Sequence, residues 1–139
     1  MSQQKSTTGL KNEKAVEENG TYSHIFAYRI SKRNHKALLN VQEKLRRIYK
    51  RHGMLGSRIY QLGKSNVFEG FSGFDKELGT TQEEEIWIEV DSYKDASEFA
   101  RIVAKIGNDA EAGPLWGELA QITNEHPVIM GEFIQLARV

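Results

Sequence analysis

Polar and apolar positions divide the chain into a polar lead and a series of patterned segments. Residues 1–20 are rich in Ser, Thr, Gln, Lys and Glu, which predicts a flexible N-terminal tail. From Thr21 the pattern changes. Thr21–Ser31 concentrates Tyr22, Ile25, Phe26, Tyr28 and Ile30, a strand composition with bulk on both faces. Arg33–His52 repeats Leu38, Val41, Leu45, Ile48 and His52 at steps of three or four, predicting a helix with one apolar stripe. Lys44, Arg46, Arg47, Lys50 and Arg51 fall mostly off that stripe, and Gly53 ends the helix. Ser57–Gly63 reads as a second strand.

Lys64–Glu84 is glycine-rich and loop-like, with Phe68, Phe71 and Phe74 at regular steps. Glu85–Tyr93 alternates cleanly: Ile86, Ile88 and Val90 face one way, Trp87, Glu89 and Asp91 the other. Asp95-x-x-Glu98 opens a second helix carrying Ala96, Phe99, Val103 and Ile106, closed by Gly107-Asn108. Pro114 opens a short third helix with Leu115, Leu119 and Ile122 on its buried side. Pro127 precedes a last strand over Val128–Arg138.

This order predicts an α+β, ferredoxin-like βαββαβ domain over residues 21–139. Two helices cover one face of a four-stranded antiparallel sheet. The Trp87-bearing face is then expected to need a second copy of the chain as its cover.

Composition narrows the function classes. The 139 residues suit one domain, and 19 basic against 19 acidic residues argue against a nucleic-acid or membrane-surface binder. The absence of cysteine removes disulfides, thiol nucleophiles and thiolate metal sites. With no signal-like or membrane-spanning run, a cytoplasmic protein is expected, and the Asn19-Gly20-Thr21 sequon carries no weight.

Three segments carry a family likeness: Tyr49-Lys50-Arg51-His52-Gly53-Met54-Leu55, Glu85-Ile86-Trp87-Ile88 leading to Ser92-Tyr93-Lys94, and Met130-Gly131-Glu132-Phe133. From Thr21 onward the chain resembles the dimeric α+β barrel superfamily and, within it, the YbaA-like family of uncharacterised proteins. The resemblance implies a homodimer and supplies no settled activity.

The candidate cavity-lining residues are His24, Tyr28, Tyr60, Trp87, Glu89 and Glu132. A small apolar or aromatic molecule would suit such walls. His24 could act as a base or bind a polar group; the plainer alternative is a hydrogen-bonded interior histidine. Glu132 could accept a proton, or pair with Arg29 or Arg58. Trp87 is most simply a core or interface aromatic. His52 is placed to cap its helix's carboxyl end. Phe68, Phe71 and Phe74 form either a lid or an arm gripping a partner subunit. The run Arg46-Arg47-x-x-Lys50-Arg51 reads as a solvated helix face.

Gly63-Lys64-Ser65 lacks the upstream glycine of a phosphate loop, because Arg58 stands there. The histidines have no metal-ligand spacing, so neither metal nor cofactor is expected. Haem-degrading relatives place a histidine on the helix after the tryptophan strand, and Asp95–Ile106 contains none. Three functions remain: a small-molecule binding dimer, a structural dimer without a catalytic site, and, more weakly, a cofactor-free or haem-dependent monooxygenase-like enzyme. Whether the chain is an enzyme is open at this level.

Overall fold

The computed structural model describes residues 21–139; the predicted tail lies outside the described residues. Strand β1 (Tyr22–Ser31) runs through a single 3-10 turn into helix α1 (His35–Arg51). Strand β2 (Gly56–Gln61) follows, then a long connection holding the short helix α2 (Phe74–Leu78). Strand β3 (Glu84–Tyr93) leads to α3 (Ala96–Gly107), α4 (Ala112–Ile122) and strand β4 (Ile129–Ile134). The sheet order is β2-β3-β1-β4 and all pairings are antiparallel. This is the ferredoxin-like α+β fold. No helix among the described residues is long and apolar enough to cross a membrane.

Local chemistry explains the element ends. Asp95 caps α3 by accepting the Glu98 amide at 2.8 Å. Gly53, at φ 124°, turns the chain out of α1 where few L-residues could follow. Pro114 sits inside the first turn of α4 rather than opening it, since that helix starts at Ala112.

Antiparallel partners share a sheet face, so the register sorts the side chains. Tyr28 opposes Trp87, Phe26 opposes Glu89, and His24 opposes Asp91 and Glu132. This is the face the helices cover. Leu38, Val41, Gln42, Leu45 and Ile48 of α1 and Ile102 and Ile106 of α3 are buried above it. Trp87 and Tyr93 are among the most completely buried side chains.

The expectation that the helices leave the Trp87 face uncovered is therefore reversed. The alternation in β3 is as expected, but the face turned away from the helices holds Ile25, Ala27, Ile88, Val90, Tyr60 and Phe133. Arg29, on that outer face, reaches the Gly79 carbonyl, so the α2 connection lies over one end. Ile86 is buried at that end, whereas Tyr60 and Phe133 are half exposed.

Candidate functional site

Strand β3 carries two carboxylates, Glu89 and Asp91, on its helix-covered face, 2% and 1% exposed. Buried carboxylates need partners. The α1 helix supplies them from positions four apart, which stack on one helix face. Gln42 Nε2 donates to Glu89 Oε1 at 2.7 Å and lies 3.1 Å from the Tyr28 hydroxyl oxygen. Arg46 Nη1 is bonded to Asp91 Oδ2 and lies 2.8 Å from Glu89 Oε2. From β2, the Ser57 hydroxyl donates to Asp91 Oδ1 at 2.6 Å. The Arg46 guanidinium also stacks on Tyr49, 4.3 Å from the ring centroid.

The charges in this cluster do not cancel if both acids ionise, because one guanidinium faces two carboxylates. The excess falls on Glu89. Burial raises its pKa to about 8, and Arg46, pulling the other way, does not offset this. Its burial thus favours the protonated form of Glu89. Burial opposes the charge on Arg46 too, but Glu89 and Asp91 outweigh it and hold the guanidinium above its ordinary range. Burial also pushes up the Tyr28 hydroxyl, with Glu89 adding to the effect.

Beside Glu89 lies a cavity of about 100 Å3, walled by β1, β3, α1 and the end of α4. Phe26, Leu119 and Val128 make it mostly apolar; Tyr28, Gln42, Arg46, Glu89 and Thr123 bring the polar groups. Gln42 Oε1 is buried without a hydrogen-bond partner, whereas Glu89 Oε2 faces the Arg46 guanidinium across 2.8 Å. An unused acceptor on a residue lining an apolar cavity is a recognition feature, since it costs about 1–3 kcal/mol if left unmade.

The six cavity candidates divide. Tyr28 and Glu89 line this cavity. Trp87 is packed on the same face, its Nε1 donating to Glu85 Oε1 at 3.0 Å, with His35 edge-on to its ring. His24 is half-buried against Phe26 and Phe99. Burial lowers its pKa, against Asp91 and Glu132, which raise it. Glu132 is exposed on β4 and accepts from the Tyr22 hydroxyl, not from Arg29 or Arg58. Tyr60 is on the outer face and belongs to a different surface. Phe68, Phe71 and Phe74 are exposed on the α2 connection, far from burial of any kind.

Other residues were read too blandly or missed. Arg46 is turned inward onto the sheet, not solvated, and Gln42 is buried. The signal lay in Gln42, Arg46 and Tyr49 at steps of four and three beside the Leu38–Leu45 stripe, facing a strand with two acids. His52 stands at the C-cap of α1, but it caps through its backbone N–H; its ring, expected to cap the helix, pairs with Asp109 at 2.9 Å instead.

Among the described residues, Glu84, Glu125 and His126 bring ligand-type atoms close enough for a metal ion. Arg29 sits 2.8 Å from His126 Nδ1 and 3.9 Å from Glu84, so a cation of the protein already serves this cluster. The Thr81 amide, followed by His126, lowers the pKa of Glu84. The cavity at Glu89 is far too small for haem.

No family model and no curated protein match the sequence. Solved structures do match in fold. A conserved protein from Methanosarcina mazei Go1 aligns with a TM-score of 0.60 at 8% identity, over 87% of this chain and 98% of that one. A variant of SnoaB, a cofactor-independent oxygenase from Streptomyces nogalater, aligns with a TM-score of 0.56 at 11% identity, over 86% and 97%. A candidate antibiotic biosynthesis monooxygenase from Nitrosomonas europaea gives a TM-score of 0.56 at 13% identity, over 85% and 92%. These likenesses establish the architecture, a ferredoxin-like α+β chain of the kind found in those proteins.

Proposed function

We propose that this protein binds a small, mostly apolar or aromatic molecule between its sheet and helices, and that Glu89 exchanges a proton with it. The observation that carries this reading is a buried carboxyl group whose burial favours its protonated form, next to the unpartnered Gln42 Oε1, both on residues that line an apolar cavity. A carbonyl or enolate oxygen would accept the proton that Glu89 carries, and a phenolic or enolic hydroxyl would donate to the free Gln42 Oε1. Arg46, held beside Glu89, then accommodates the negative charge that appears when the proton leaves, while Asp91 opposes it and keeps the proton exchangeable. The cofactor-free oxygenase among the fold neighbours makes oxygenation of such a molecule one form this chemistry could take.

Size limits the ligand. The cavity holds about 100 Å3, less than the roughly 150 Å3 that accommodates benzene in an engineered core. A one-ring ligand therefore requires the wall at Thr123 and Val128 to move outward. That wall is the end of α4 and the turn into β4, whose residues are half-buried or exposed.

The same reading includes a homodimer formed through the outer sheet face, with Ile25, Ile88, Val90 and Phe133 as its apolar centre. Phe68 and Phe71, edge to face at 5.7 Å, suit the arm better than a lid, because they do not line the cavity at Glu89. A dimer without chemistry is the second reading, favoured by the small cavity.

The test is a thermal-shift and crystal-soaking panel of phenols and one-ring aromatics on the native protein and on Val128→Trp. Stabilisation of the native protein that is lost in Val128→Trp is expected. No stabilisation by any compound would leave only the structural dimer.

A further inference from the structure

A second hollow lies along α1, and Arg46 borders both it and the cavity at Glu89. It runs between α1 and β2, has a volume of about 440 Å3, and no residue of α4 lines it. The sheet order makes β2 an edge strand, so no other strand among the described residues closes this groove. Its volume falls in the range of about 300–1,000 Å3 that small-molecule sites occupy.

The lining is amphipathic. Leu39, Met54 and Ile59 supply apolar surface, while Arg47 and Lys50 supply charge. These two cations are one helical turn apart and therefore on neighbouring positions of one helix face. Both are exposed, and neither joins an ion pair or hydrogen bond among the described residues. Glu43 shares the lining, so the rim keeps one net positive charge, Arg46 being paired with Asp91. Arg46 forms part of the inner wall, and its Nε–H is buried without an acceptor. An unused buried donor, two unpaired cations and an apolar floor are complementary to one kind of molecule.

We infer that this groove binds a small amphipathic anion, a carboxylate or phosphate monoester carried on an apolar body of about one ring. The anionic head lies against Arg47 and Lys50, and the body lies on Leu39, Met54 and Ile59. The site shares Arg46 as a wall with the Glu89 cavity but is otherwise lined by different residues, and it does not depend on proton exchange there.

The experiment is calorimetric titration of the full chain with 4-phenylbutyrate, phenyl phosphate and, as the cation on the same apolar body, 4-phenylbutylamine. Both anions should bind and the amine should not. The charge reversal Arg47→Glu with Lys50→Glu, at exposed positions that do not hold the fold together, should weaken anion binding by about tenfold or more, equivalent to about 1.4 kcal/mol. Lys105→Glu on α3, which lines neither cavity, should leave it unchanged. Amide shifts on titration should map to Leu39, Met54 and Ile59. Equal binding of amine and anions, no binding of either anion, or retention of binding in the double reversal would each overturn the assignment.

Discussion

Gln42 Nε2 donates to Glu89 Oε1 across 2.7 Å, tying the middle of α1 to the middle of β3. Through this bond a helix and a strand that are far apart in sequence hold a carboxyl group in a fixed orientation at the edge of a cavity. Arg46, one turn further along α1, holds the other carboxylate of the pair.

Glu89 should give folding stability a distinct pH dependence. Its pKa rises from an ordinary 4.5 to about 8 on folding, so the folded state binds this proton more tightly. The stabilisation is fully present below about pH 4.5 and is lost as pH rises to about 8. Its total is on the order of a few kcal/mol. Urea denaturation of the native protein and Glu89→Gln from pH 5 to 9 should show stability of the native protein falling more steeply across this window. Parallel curves would refute the buried-acid description.

Arg46→Met should be strongly destabilising at neutral pH, by about 3–5 kcal/mol, because it leaves Asp91 buried without its cation beside Glu89. The check is the denaturation midpoint at pH 7 beside that of Arg46→Lys, which keeps the charge; an equal loss in both would point to packing alone.

Trp87 and Phe133 should behave differently on substitution, because they stand on opposite sheet faces. Trp87→Ala should cost about 3–5 kcal/mol of folding stability. If the proposed outer-face dimer forms, Phe133→Asp should leave the chain folded and shift sedimentation from dimer to monomer. A Phe133→Asp protein that sediments like the native one would remove the outer-face dimer.

Asp95→Ala should lower stability by about 1 kcal/mol through loss of the cap on the Glu98 amide. Thermal denaturation measures this directly, and Asp95→Asn should recover most of it.

The elements themselves were legible along the chain. The stripe of Leu38, Val41, Leu45 and Ile48, the alternation of β3 and the Asp95 cap each arise from neighbours in sequence, where helix and strand periodicity act. Within the candidate site, Glu89 and Tyr28 were visible as polar groups in apolar strands. Their partners were not. Gln42 and Arg46 resemble ordinary polar residues of an exposed helix flank until the helix is laid on β3. Tyr60 was grouped with them only because strand parity between β2 and β3 depends on register.

By itself, then, the sequence determined that β3 has one face of isoleucine and valine and one of tryptophan and acids, and that two amphipathic helices flank it. Which face meets the helices was decided only in the tertiary structure. Alternation is symmetric between the two sides of a strand, so local preference cannot choose. The choice rests on where α1 finds partners for Gln42 and Arg46: only the Trp87 face offers Glu89 and Asp91, and buried polar groups must be matched. The isoleucine face, with nothing polar to match at its centre, is left turned outward.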